Sequence, residues 1–203
     1  MKEESGQALQ KFVDITDREF RAFTETVTPQ SYEKAVELIL NAQKNGNRVH
    51  ITGIGKPSHV AGYMASLLSS TGTPTYFLHG TEAVHGSCGQ LVEGDVVICI
   101  SNSGETAELK STVTAIKNNG CKVISVTGNP ESWLAREGDA SLFAGVHQEG
   151  DVLNRAPRAS ILAELFVLQG LSVVLQTARG LTPAEYVKWH PGGTLGSLRD
   201  DEK

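Results

Sequence analysis

The chain is poor in cysteine, short of positive charge and incomplete in every nucleotide-binding signature, and each shortage removes a class of function. Its three cysteines, Cys88, Cys99 and Cys121, are odd in number and form no CxxC pair, which predicts reduced thiols rather than a disulfide framework. Eighteen Lys and Arg stand against 23 Asp and Glu, a formal net charge of −5. No basic stripe is left to neutralise a nucleic-acid backbone. The opening MKEESGQALQKF lacks the apolar core of a signal peptide, and no apolar run of membrane length is expected. GIGKPS at 53–58 lacks the last glycine of GxGxxG, and it lacks the longer loop and GKS or GKT ending of a Walker A motif. Together these absences predict a cytoplasmic protein with no nucleic-acid partner, no membrane partner and no cofactor.

What is present is a globular composition, with 39% hydrophobic and 20% charged residues in 203. That length suits one large domain with a substantial core. The most informative stretch is Asp95–Leu109, DVVICISNSGETAEL. Val96–Ile100 is apolar at every position, which suits a strand buried on both faces of a parallel sheet. Ser101, Asn102, Ser103 and Gly104 break it, and a helix is expected to begin at Glu105. A strand that delivers small polar side chains to a helix start builds an anion site, because free N–H groups and the helix dipole point the same way as the hydroxyls. Thr106 adds a hydroxyl from the first turn. One helix cap needs a single such residue, so this loop is assigned to a phosphate.

The rest of the chain alternates. Two amphipathic helices are expected in the first 45 residues, from the apolar positions Leu9, Phe12, Val13, Phe20, Phe23 and Val27 and then Ala35, Leu38, Ile39 and Ala42. Strands follow at 48–52, 75–79, 95–101, 122–127 and 141–146, separated by helical segments. A long apolar helix is expected from Pro157 to Arg179, on too many faces for a surface helix, and a last one over Pro183–Trp189. Strands separated by helices predict an α/β fold, a doubly wound parallel five-stranded sheet with helices on both faces and an N-terminal helical extension. Ligands in such sheets lie beyond the carboxyl ends of the strands, so the turns at 53–58 and 101–106 should share one edge. Gly55 lets backbone approach a ligand there, and Lys56 at the tip is placed to meet an anion. His79, Glu82 and His85 have spacing that a metal can use, but with no fourth ligand no metal site is assigned. Glu108, one turn into the helix, is within reach of the ligand site by leaning back over it, whereas Glu149 and His190 are unremarkable on local spacing.

GIGK, TGTPTYFLHGTEAVHG, ISNSGETAEL, SVTGNPES and HPGGTLG, in that order over about residues 48–198, together resemble the sugar isomerase (SIS) domain of arabinose 5-phosphate isomerases. The resemblance implies an isomerase interconverting ribulose 5-phosphate and arabinose 5-phosphate through an enediol. It places the phosphate at Ser101, Asn102, Ser103 and Thr106, with Gly55 and Ser58 alongside, and His85 as a further histidine of the site. It puts Lys56, Glu108, Glu149 and His190 at catalytic positions, with proton transfer on His190 or Glu149. It also implies a homotetramer with sites shared between subunits. The chain departs from the family at Pro57, where serine is usual, and at Ala156–Ile161, where Arg158 replaces a neutral group. It ends just after HPGGTLG, where many members continue into two CBS modules, so a stand-alone catalytic domain is expected. The organisation expected is 1–46 as helices packing on the domain or oligomer, 47–198 as the SIS domain and 199–203 as a polar tail. The competing expectations are an isomerase for another phosphosugar, or a sensor that binds sugar phosphate without turnover.

Overall fold

Five parallel strands form one sheet in the order β2-β1-β3-β4-β5 in a computed structural model that describes residues 2–202. The strands are β1 (Val49–Gly53), β2 (Thr75–Phe77), β3 (Val96–Ile100), β4 (Lys122–Thr127) and β5 (Ala140–Phe143). Helices α1 (Glu3–Thr24), α2 (Glu33–Lys44), α3 (Lys56–Ser70), α4 (Gly80–Ala83), α5 (Ala107–Asn118), α6 (Trp133–Glu137), α7 (Ala159–Ala178) and α8 (Pro183–Trp189) complete it. The alternating side chains of the strands divide the core in two. Val49, Ile51, Val96, Ile98, Ile100, Ile124 and Val126 pack with α2, α3 and α7. Val97, Cys99 and Val123 pack on the opposite face with α5 and α6. β1 and β3 are buried at every residue, as expected of central strands covered on both faces. The doubly wound α/β architecture is thus the one read from the sequence.

Two local expectations differ from the structure, and a third is met only in part within one chain. The outer strands are shorter than their apolar runs, because an edge strand has one neighbour: β2 pairs only Thr75, Tyr76 and Phe77 with β1. The apolar face expected of α1 is covered only in part within the single chain. Phe20 and Phe23 pack on Phe166 of α7, with ring centroids 5.2 and 5.9 Å away, while Leu9 and Val13 stay exposed. α7 is long and apolar enough to cross a membrane by length and composition, contrary to the expectation that no such run occurs. In this fold it buries Ala163, Val167, Leu168, Leu171 and Leu175 and exposes Leu162, Phe166, Val173 and Val174. Of the expected polar tail, Asp200–Glu202 form a 3-10 turn and Lys203 lies outside the described residues.

At the amino-terminal edge of the sheet, Asp95 ties three segments together. Its carboxylate accepts hydrogen bonds from the N–H of Arg48 (2.8 Å) and Val92 (3.0 Å) and meets Nε2 of buried His50 (3.2 Å). Burial alone would raise the Asp95 pKa, but these donors outweigh it and hold it below its ordinary value. Burial pushes His50 the other way, down from 6.5, against the pull of Asp95.

Candidate active site

The strand order reverses between β1 and β3, whose last residues Gly53 and Ile100 are register partners. Loops leaving these two strands therefore emerge side by side, at the point where doubly wound sheets open a crevice. Two helices start there, and neither is capped by a side chain. α3 begins at Lys56 after Gly55, which has φ of +68°, and α5 begins at Ala107 after Thr106. The free N–H groups of the first turn of α5 and the dipole ends of both helices share this edge, and the exposed Lys56 has no ion pair among the described residues. This is a positive, donor-rich crevice in an acidic protein.

The serine loop is held from behind rather than used as a cap. Ser101 is buried, its Oγ accepting from the Gly104 N–H at 3.1 Å and lying 3.1 Å from Oγ1 of Thr106. Ser103 is exposed and its Oγ accepts from the N–H of Glu105 at 3.2 Å. The Asn102 carbonyl accepts from Oγ1 of Thr127 (3.1 Å) and the N–H of Gly128 (2.9 Å), pinning the loop to the end of β4. Gly104 has φ of +65°, and a Cβ there would run into the side chain of buried Ser132. Glu105 does not open the helix as expected. Its carboxylate accepts from the Trp133 N–H at 2.7 Å and pairs with Lys110, which draws the residue out of the helical path. Glu108 lies exposed on the first turn of α5.

Glu149 arrives from the segment after β5. Its Oε2 accepts from the N–H of Arg158 (2.6 Å) and Ser160 (3.1 Å), so the carboxylate sits at the start of α7. Asn154, with φ of 50°, closes the turn by accepting from the Glu149 N–H at 2.6 Å. Arg158, the departure at this helix start, turns its guanidinium onto the Asp151 carboxylate. Pro57 is accommodated in the first turn of α3, where a missing N–H costs nothing, and Ser58 is half-buried beside it. Lys56, His59, Tyr63, Pro157, Ile161 and Leu165 line part of a cavity of about 480 Å³ between α3 and α7.

Two sequence candidates lie outside these two helix starts. His85 is exposed beyond α4, while His79 caps that helix by accepting from the N–H of Glu82 at 3.3 Å. Among the described residues no three His, Cys, Asp or Glu side chains are grouped to hold a metal. His190 ends α8. It stacks on Tyr186 with ring centroids 3.9 Å apart, and its Nδ1 lies 2.7 Å from the Tyr186 carbonyl. That contact makes Nδ1 the donor and leaves Nε2 as an acceptor. Trp189 beside it lies close to Gly72, just past the last turn of α3. Lys56 is at the other end of that 15-residue helix, a span of roughly 20 Å at 1.5 Å per residue. Within one chain His190 and Lys56 do not meet. A residue that local spacing did not single out is Glu164 on α7, fully buried with neither carboxyl oxygen hydrogen-bonded. Burial, with the Glu149 charge adding to it, pushes its pKa up to about 8. The available signal was its place on the buried stripe of α7, four residues after Ser160.

The fold and the crevice define a doubly wound α/β domain with two helix starts, a serine loop and a lysine gathered at its switch point. Residues 43–173 match the SIS domain, and the chain belongs to that family. It is 44% identical over 165 residues to the arabinose 5-phosphate isomerase KdsD of Pseudomonas aeruginosa, covering 81% of this chain and 50% of that protein. It is 37% identical over 190 residues to the protein of the same name from Escherichia coli K12, covering 94% and 57%. The chain thus spans about half the length of the curated relatives it matches. A solved structure of an Escherichia coli CFT073 protein in complex with arabinose 5-phosphate superposes with a TM-score of 0.80 at 36% identity, over 94% of this chain and all of that one.

Proposed function

We propose that the chain is an aldose–ketose isomerase that interconverts arabinose 5-phosphate and ribulose 5-phosphate through an enediol. The observation that carries this reading is the convergence of two uncapped helix starts, the serine loop and Lys56 at the β1–β3 switch point, with Glu149 held at the start of α7. The names of the relatives and the neighbour bound to arabinose 5-phosphate support the same substrate class.

In this reading the phosphate is bound by Ser101, Asn102, Ser103 and Thr106 together with the first-turn N–H groups of α5, with Gly55, Ser58 and His85 lining the approach. Anchoring the phosphate holds C1 and C2 against the reacting groups. Glu149 accepts the proton from C2 of the aldose and returns it to C1, leaving the ketose. Lys56 stabilises the negative charge that develops on the enediolate oxygen, as an electrostatic group. Glu108 orients a hydroxyl or assists ring opening. His190 lies far from its own crevice, so it serves a neighbouring one: the partner's His190 moves the hydroxyl proton, in a homotetramer whose sites are shared.

The test is a coupled assay of the purified protein against arabinose 5-phosphate, ribulose 5-phosphate and a panel of other pentose and hexose phosphates. Turnover restricted to the first pair supports the proposal. Turnover of a different pair assigns another phosphosugar, for which the Arg158–Asp151 clamp is the first feature to alter. Saturable binding without turnover of any sugar makes the chain a sensor.

A further inference from the structure

Glu164 and Ser160 are one helical turn apart on the buried stripe of α7, and both are fully buried. The Ser160 hydroxyl and both Glu164 carboxyl oxygens have no hydrogen-bond partner. Three unpartnered polar atoms in one place are a costly thing to bury without a role. They stand directly behind Glu149, because the backbone N–H of Ser160 is one of the two donors to the Glu149 carboxylate. Two carboxyl groups so placed in a low dielectric do not both ionise, and the proton stays on the one with fewer donors. Glu149 has the N–H groups of Arg158 and Ser160 and the dipole of α7, whereas Glu164 has none.

We infer that Glu164 is a positioning residue, a neutral acid kept behind Glu149 so that Glu149 alone carries the negative charge of the pair. The inference rests on the isomerase reading, in which Glu149 accepts the substrate proton. With Glu164 protonated, no like charge stands behind the Glu149 carboxylate; if Glu164 ionises, a second charge enters a site that must bind a phosphate.

The charged groups on the elements packed against α7 do not change this assignment. On α1, the Glu19 carboxylate is engaged by the N–H of His147 and by Arg18. On α3, Lys56 and His59 lie exposed at its start, and the buried face of α2 is Ala35, Ile39 and Ala42. Arg158 is paired with Asp151. The charge that acts on Glu164 is that of Glu149.

The experiment is infrared spectroscopy of the full chain with no substrate present, through a pH titration, with Glu164→Gln and Glu149→Gln alongside. A protonated-carboxyl band should be present at pH 7, vanish in Glu164→Gln, and titrate away near pH 8. In Glu149→Gln the band should titrate at a lower pH, since its negative neighbour is gone. In the steady-state assay, the alkaline fall of kcat/KM in the parent should be absent or shifted in Glu164→Gln. If Glu164→Gln does not fold, Glu164→Leu, which removes the buried polar atoms, serves in its place. No such band at pH 7, a titration indifferent to Glu149→Gln, or an alkaline limb that survives Glu164→Gln overturns the inference. Because the band is read without substrate, a protein that carries it but turns over no sugar refutes the isomerase reading and leaves the neutral acid in place.

Discussion

Gly104→Ala is the substitution whose cost the structure sets most closely. Gly104 has φ of +65°, and an added Cβ would strike the Oγ and Cβ of Ser132 and come within 2.9 Å of Oγ1 of Thr127. Neither neighbour can swing away freely. Ser132 is fully buried and its Oγ accepts from the N–H of Ala135 at 3.2 Å, and Thr127 donates to the Asn102 carbonyl. The left-handed conformation costs alanine about 1–2 kcal/mol, and forcing a methyl into a filled site costs about 1–3 more. The sum, roughly 2–5 kcal/mol, lowers Tm by about 4–20 °C in a domain of this size. Gly46 is the control, with φ of +80° and open space around its Cβ position, so Gly46→Ala should cost only the left-handed term, about 1–2 kcal/mol. Thermal and urea unfolding of Gly104→Ala, Gly46→Ala, Ser132→Gly and the Gly104→Ala/Ser132→Gly pair closes a double-mutant cycle. Emptying position 132 should return about 1–2 kcal/mol in the pair. If Gly104→Ala unfolds within about 0.5 kcal/mol of Gly46→Ala and shows no coupling to Ser132, the loop is not wedged in the way described.

Ser103→Ala should weaken sugar-phosphate binding by one charge-assisted hydrogen bond, about 1.5–3 kcal/mol, in a calorimetric titration that leaves Ser125→Ala unaffected; equal binding by both makes the hydroxyl a turn contact only. Chains lacking Lys56 and chains lacking His190 should each be inactive yet regain part of the activity when mixed and allowed to exchange, as sites shared between copies require, and an exchanged but inactive mixture removes the partner's His190 from the site. Stability should fall with acidification, because His50 and Asp95 both have depressed folded values. For such groups the contribution is present above the unfolded value and lost as pH falls through the folded one. The decline therefore begins below the ordinary 6.5 of histidine and steepens below the carboxylate range. Asp95→Asn should flatten the acid limb while destabilising the protein at pH 7, and an unchanged limb would show that other carboxylates govern it.

The sheet was legible because its strands are short apolar runs between glycine-bearing turns, and Val49–Gly53 and Val96–Ile100 are buried along their whole length. The side-by-side emergence of the 53–58 and 101–106 turns followed from the doubly wound pattern, and the Gly53–Ile100 register gives it atomic form. The start of α5 was misread by two residues because what removes Glu105 from the helix is the N–H of Trp133, far away in sequence. α1 is the helix its pattern predicts, with Ile15 buried and Phe12 against Gly150, while Leu9 and Val13 of the same apolar set stay about half exposed in the single chain. Glu164 was passed over because one acid in ILAELFVLQ reads as a solvated position. Only the packing of the Ser160–Glu164 stripe into the core turns it into a buried acid. The distance between His190 and Lys56 is likewise a property of where α8 docks, which no local pattern encodes.

The central claim is that this crevice moves a proton between adjacent sugar carbons, and proton NMR of arabinose 5-phosphate in deuterium oxide tests it most directly. The parent protein is expected to replace the C2 hydrogen with deuterium while ribulose 5-phosphate accumulates, and Lys56→Ala and Glu149→Gln to bind the sugar but leave that hydrogen in place. A parent protein saturated with arabinose 5-phosphate whose C2 hydrogen neither exchanges nor moves to C1 would contradict it.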